Sequence, residues 1–144
     1  MVFNKDCIHY TGRNKSYAVL QNGKKYRVVN ELKREMIIYE VDPCLINNNH
    51  QQKCDYLLLI SEVKAYRAYF IELKGAGLTD AINQINSSVD ILYKNLRGHK
   101  IFGRIVGKRV TPNIKSRRVR LDEKLKQLGG DLKIVSACQY TEVL

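Results

Sequence analysis

Apolar and polar positions change rhythm several times along the chain, and each rhythm predicts an element. Ser16 to Leu20 and Lys25 to Val29 are strand-like runs on either side of Asn22-Gly23. Asn-Gly tolerates the positive φ values of a type I′ turn, so the segment predicts a β-hairpin. Asn30 to Met36 is ambiguous. Val29, Leu32, Met36 and Tyr39 fit one face of a helix, while Met36 to Val41 also reads as a strand. Asp42-Pro43 ends whatever precedes it, and Asn47 to Gln52 is a polar loop.

Asp55 to Ile60 and Arg67 to Lys74 are two continuous apolar runs rich in branched and aromatic residues. Runs of this kind suit central strands covered on both faces. Gly75-Ala76-Gly77 breaks the second run, and Leu78, Ala81, Ile82, Ile85, Val89, Leu92 and Leu96 then recur at helical spacing. Lys100 to Val110 reads as another strand. Pro112 and Asn113 open a second helix through Ile114, Leu121, Leu125 and Leu128, stopped by Gly129-Gly130, and Asp131 to Tyr140 reads as a last strand. With no internal repeat or low-complexity tract, the order strands, helix, strand, helix, strand predicts one α/β domain over residues 1–144.

Composition adds a partner class. The 25 Lys and Arg outnumber the 14 Asp and Glu, for a formal net charge of +11, and such a field attracts polyanions, nucleic acid first among them. No run reaches the roughly 20 apolar residues of a membrane span, and the polar start lacks the apolar core of a signal peptide. A soluble, cytoplasmic protein is expected. Cys7, Cys44, Cys54 and Cys138 form no C-x-x-C pair, and His9, His50 and His99 stand at no metal-ligand spacing to them. Four reduced thiols are therefore expected, with Cys54 packed in the core.

The chemistry concentrates at the ends of the two apolar runs. Glu72 and Lys74 lie two apart on a predicted strand and so share a face. A tight turn at Val63-Lys64 would pair Ile60 with Arg67 and, carried along the ladder, Asp55 with Glu72. Their Cβ atoms would then be about 4.5–5.5 Å apart, and two carboxylates at that distance repel unless a cation lies between them. Mg²⁺ is the natural candidate, since it is usually held by one or two carboxylates plus water and substrate phosphates. Lys74 beside it could orient water or stabilise charge on a phosphate. Glu-x-Lys alone is a common triplet, on most strands an edge ion pair; the combination with Asp55, the glycine-rich exit and the helix distinguishes it here.

Lys53-Cys54-Asp55-Tyr56-Leu57-Leu58, Phe70-Ile71-Glu72-Leu73-Lys74-Gly75 and the helix Ala81-Ile82-Asn83-Gln84-Ile85 together resemble the PD-(D/E)xK nuclease superfamily. The resemblance is sharpest over about 35 residues, from Lys53 to Val89. It departs from the motif in having Cys54 where a proline often precedes the Asp. It implies a restriction endonuclease-like fold, a central mixed β-sheet flanked by helices, and a Mg²⁺- or Mn²⁺-dependent endonuclease acting on nucleic acid, DNA foremost. Asp55 and Glu72 would be metal ligands together with the Leu73 carbonyl, Lys74 the catalytic lysine, and Gln84 a helix residue reaching the site. An upstream acidic residue is also implied. Glu31 fits if Asn30 to Met36 is helical, and Asp42 fits if that region is a hairpin ending beside the site.

Between Lys100 and Lys126, ten Lys or Arg face only Asp122 and Glu123, which accounts for eight of the eleven net charges. Lys108, Arg109, Lys115, Arg117, Arg118 and Arg120 bracket the predicted start of the second helix and are candidate phosphate contacts. Such contacts position a nucleic acid without reading its sequence, and no recognition helix, zinc finger or aromatic stacking patch is present. A chain with so little beyond the core leaves room for a homodimer. The competing readings are a non-catalytic nucleic-acid-binding module and a protein-interaction subunit in which Glu72 and Lys74 form an ordinary ion pair.

Overall fold

The computed structural model describes residues 2–63, 65–75, 77–107 and 115–144. In chain order its elements are β1 (Ile8–Gly12), β2 (Ser16–Gln21), β3 (Lys24–Val29), β4 (Glu35–Glu40), β5 (Tyr56–Ser61), β6 (Tyr66–Lys74), α1 (Leu78–Leu92), β7 (His99–Gly107), α2 (Lys115–Gln127), β8 (Leu132–Ser136) and β9 (Gln139–Val143). The α/β class holds, with a mixed sheet of order β1-β4-β5-β6-β7-β8. Its β1 to β6 half is antiparallel, whereas β6, β7 and β8 run parallel.

The continuous apolar runs of β5 and β6 follow from cover on both faces. On one face Leu57, Leu59, Ala68 and Phe70 meet α1 through Ala81, Ile82, Ile85 and Val89, and α2 through Leu121 and Leu125. Each such Leu or Ile taken fully out of water stabilises the fold by roughly 1.5–3 kcal/mol. Gly103 in β7 permits the close approach of these layers, since a Cβ there would stand 3.0 Å from both Leu125 and Leu132. On the opposite face Leu58, Ile60, Tyr69 and Ile71 pack against Val19, Tyr26 and Val28. These belong to a separate three-stranded sheet of order β2-β3-β9.

The helices thus flank the large sheet on one face, and a small sheet covers the other. The small sheet begins with the expected hairpin, in which Asn22 (φ 53°) and Gly23 (φ 71°) take the positive values the sequence suggested. It is completed by β9, which pairs in parallel with β3. The expected single strand from Asp131 to Tyr140 is therefore two strands in different sheets. The chain crosses at Ala137-Cys138, whose backbone groups bond Gly107 and Lys25, and the uninterrupted composition of the stretch gives no sign of that crossing. Likewise β1 pairs with β4 at the far edge without a clear pattern in its own residues.

The expectation of four reduced thiols is corrected. Cys7 and Cys44 form a disulfide, their Cα atoms 5.5 Å apart. They are 37 residues apart in sequence, and only the pairing of β1 with β4 brings the turn before β1 next to the irregular turn Val41–Leu45 after β4. Cys54 is buried and Cys138 exposed, both as free thiols. Among the described residues no helix is long and apolar enough to cross a membrane.

Candidate active site at the end of β5 and β6

The β5–β6 register has the predicted pairing, with Ile60 opposite Arg67 and Tyr56 opposite Ile71. The regular ladder ends there: the Asp55 N–H donates to the Ile71 carbonyl at 3.1 Å while the Asp55 carbonyl accepts from Val41. Asp55 is therefore not a ladder partner of Glu72 as expected, but its carboxyl still neighbours that of Glu72. Because β5 starts only at Tyr56, β6 runs past its antiparallel neighbour. In antiparallel pairing alternate residues direct both N–H and C=O toward the same neighbour, so Leu73, two beyond Ile71, faces the space β5 has left. Its N–H donates to Asp55 Oδ2 at 2.8 Å. Its carbonyl accepts from Asn22 Nδ2 at 2.9 Å, so the hairpin turn of the small sheet closes this side of the site.

Both carboxylates are withdrawn from water, Asp55 being 8% and Glu72 2% exposed. Burial pushes the Glu72 carboxyl up to about 9, assisted by the adjacent Asp55 charge and opposed by Lys74. Asp55 is also raised, first by burial and further by Asp42, while the Leu73 N–H and Lys74 pull it back. The pair therefore favours sharing a proton over carrying two charges. With both groups ionised, Glu72 Oε1 is buried without a donor, whereas Oε2 accepts from Gln84.

Gln84, with its amide nitrogen turned to the acceptors, donates to Glu72 Oε2 at 2.9 Å and to the Asp80 carbonyl at 3.1 Å. One turn further along α1, buried Ser88 accepts from the Cys54 N–H at 2.8 Å. Gln84 and Ser88, four apart on one helix flank, therefore fix the ends of β6 and of the segment entering β5. Sequence reading found Gln84 but missed Ser88 and Asn22. Small polar residues on a helix and in a hairpin turn have ample local explanations, and only the tertiary fold aims them here. Cys54 itself is a core residue, its thiol pushed up by burial and bonded to the Tyr56 carbonyl.

Of the two upstream acids, Asp42 is near the pair. It follows β4 in the turn held by a bond from the Val41 N–H to the Asp55 carbonyl at 3.0 Å, and its charge reaches Asp55. Its carboxylate, 45% exposed, lies 4.0 Å from Lys53 Nζ. Glu31 is exposed in a tight turn before β4, held by Asn30 bonding across to Arg34. The helix that would have carried Glu31 inward does not form, and the opposite end of β4 separates it from Asp55.

No family model, curated protein or solved structure matches the chain. Among the described residues no three His, Cys, Asp or Glu side chains gather as a metal cage. What lies together is two buried carboxylates, with Leu73 bonded to Asp55 through its N–H and to Asn22 through its carbonyl. This donor set is all oxygen and carries a shortage of positive charge, which fits a hard divalent cation completed by water and substrate oxygens. The buried, donorless Glu72 Oε1 is the observation that supports the fit.

Of the basic candidates, Lys115, Arg117, Arg118 and Arg120 are exposed on the first half of α2, and Lys108 and Arg109 lie outside the described residues. Gly107 at the end of β7 pairs with Lys74, and α2 leads back to Leu132, which pairs with Gly103. The N-terminal, basic end of α2 therefore points toward the same end of the sheet as Lys74.

Proposed function

We propose that this chain is a divalent-metal-dependent nuclease of the PD-(D/E)xK kind, with a restriction endonuclease-like fold, hydrolysing phosphodiester bonds of nucleic acid, DNA foremost. The observation that carries the reading is the buried Asp55–Glu72 pair beside Lys74, at the end of the sheet toward which the basic half of α2 points. Buried carboxylates with raised proton affinity and no internal cation between them suit an external one.

Mg²⁺ or Mn²⁺ would be held by Asp55, Glu72 and the Leu73 carbonyl, with Asp42 available through water. When bound, such an ion lowers the pKa of coordinated water and neutralises phosphate charge. The chain's own residues supply the remaining parts. Lys74, at the open end of β6, orients the attacking water and stabilises the charge that builds on the phosphate. Gln84 keeps Glu72 Oε2 in place. The Asp55 bond to the Leu73 N–H holds the two strand ends together, so the carboxylates keep their spacing without a substrate. Lys115, Arg117, Arg118 and Arg120 hold the nucleic-acid backbone leading to the scissile bond.

Cleavage of linear, supercoiled and branched DNA in Mg²⁺ or Mn²⁺ tests this, comparing the native chain with Glu72→Ala and Lys74→Ala at matched circular dichroism. Native nicking that requires the ion and falls by about 10³-fold or more in both variants is expected. Ion-independent cleavage, or cleavage unchanged in both variants, would exclude the site.

A further inference from the structure

On the flank of α1 opposite Gln84, a groove of about 290 Å³ runs between α1 and α2. Its walls are Asn83 and Asn86 from α1 and Arg117, Arg120 and Lys124 from α2, over a floor of Ile82 and Leu121. Lys124 is fixed across the groove, its ammonium bonded to Asn86 Oδ1 at 2.8 Å and to the Asp90 carboxylate. That bond uses the Asn86 carbonyl oxygen and leaves its NH₂ as a donor. Arg117 and Arg120, three apart on α2, make no hydrogen bond or ion pair with any described residue. The groove therefore presents two guanidiniums without a bonded carboxylate facing two amides, and no Asp or Glu is among its described lining residues. A concave array of donors with excess positive charge is suited to an anion with several acceptor oxygens.

We infer that this groove is a phosphate subsite for the nucleic-acid backbone, with Arg117 and Arg120 binding the phosphate oxygens and Asn83 and Asn86 donating to phosphate or sugar. The inference rests on the nuclease reading for its substrate and gives that substrate a path. Asn83 adjoins Gln84, so α1 separates the groove from Glu72 by about one helix diameter, roughly 10 Å. At an axial rise of about 3.4 Å per nucleotide along one strand, the groove engages a phosphate up to about three nucleotides from the bond being cut. The contacts are to backbone, and so they set position and affinity without selecting sequence.

The test is fluorescence anisotropy of labelled DNA and RNA oligonucleotides at several salt concentrations in EDTA, which keeps binding separate from cleavage. Arg117→Ala/Arg120→Ala is expected to weaken binding about tenfold and to lower the salt slope by about 2. Asn83→Ala/Asn86→Ala is expected to weaken binding about threefold with the slope unchanged, because it removes no charge. All four side chains are on helix surfaces, and circular dichroism checks that each variant is folded. A second arm maps cuts near oligonucleotide ends in Mn²⁺, where the native chain should need up to about three nucleotides on one side and the arginine variant should not. Unchanged affinity and slope in the arginine variant, or no binding by the native chain to either nucleic acid, overturns the groove. Salt-dependent binding lost in the arginine variant, alongside no cleavage under any ion, would uphold the groove and exclude the nuclease.

Discussion

Among the described residues, a cluster of buried charged side chains on one face of the large sheet and another on the opposite face are built oppositely. On the small-sheet face Arg104 of β7, 3% exposed, bonds the Glu142 carboxylate of β9 and Asp131 Oδ1. The guanidinium lies 5.3 Å from the ring centres of Tyr69 and Phe102, and the Tyr26 hydroxyl donates to Glu142 at 2.8 Å. Every charge there has an internal counter-charge. On the helix face Asp55 and Glu72 are buried side by side, and Lys74 only partly offsets them. A satisfied cluster ties β3, β7 and β9 together and has nothing left to bind. The other cluster, with both carboxyls raised by burial, makes the fold less stable, and a perturbed buried pair of this kind is what the proposed cation site rests on.

Substitutions should separate the two. Arg104→Met leaves Glu142 buried without its cation, a loss of about 3–5 kcal/mol. It should lower the melting temperature by about 10 °C, measured by calorimetry without divalent ions. A change under about 2 °C would remove the contrast.

Glu72→Gln should act in the opposite sense. Because the folded state holds Glu72 protonated up to about 9, it binds more protons than the unfolded chain above the ordinary glutamate range. Metal-free stability therefore declines as pH rises from about 4.5 toward 9. Across that window the native melting point should drop, and Glu72→Gln should melt higher and lose most of the slope. A native profile that rises over the same range would contradict the assignment.

The smallest effect concerns Asn22. Glycine also adopts its positive φ, so Asn22→Gly keeps the turn while freeing the Leu73 carbonyl. Removal of one neutral hydrogen bond should cost about 1 kcal/mol of metal-free stability. Relieved of a competing donor, the carbonyl should bind Mn²⁺ about threefold more tightly; weaker binding would mean that Asn22 aids the ion.

Much of the site was legible because its determinants are local. A strand's period of two places Glu72 with Lys74, and the antiparallel pairing of β5 with β6 brings Asp55 near Glu72. Helical spacing identified α1, while Gln84 came from the family resemblance alone. The choice between Glu31 and Asp42 was not legible, since it depends on whether Asn30 to Met36 coils, and the Asn30 bonds that settle it are specific to the tertiary fold. Asn22, Ser88 and the Cys7–Cys44 link were hidden for the same reason, each being a contact between distant segments. The split of Asp131 to Tyr140 into two sheets was hidden because both halves have strand-forming residues.

Titration of the native chain with Mn²⁺ by isothermal calorimetry near pH 7, in two buffers of different ionisation enthalpy, tests the central claim most directly. Binding at one site with release of about one proton, absent in Glu72→Gln and retained in Arg104→Met if that variant is folded, is predicted. No binding, or binding with undiminished proton release in Glu72→Gln, would contradict the reading of the Asp55–Glu72 pair as a cation site.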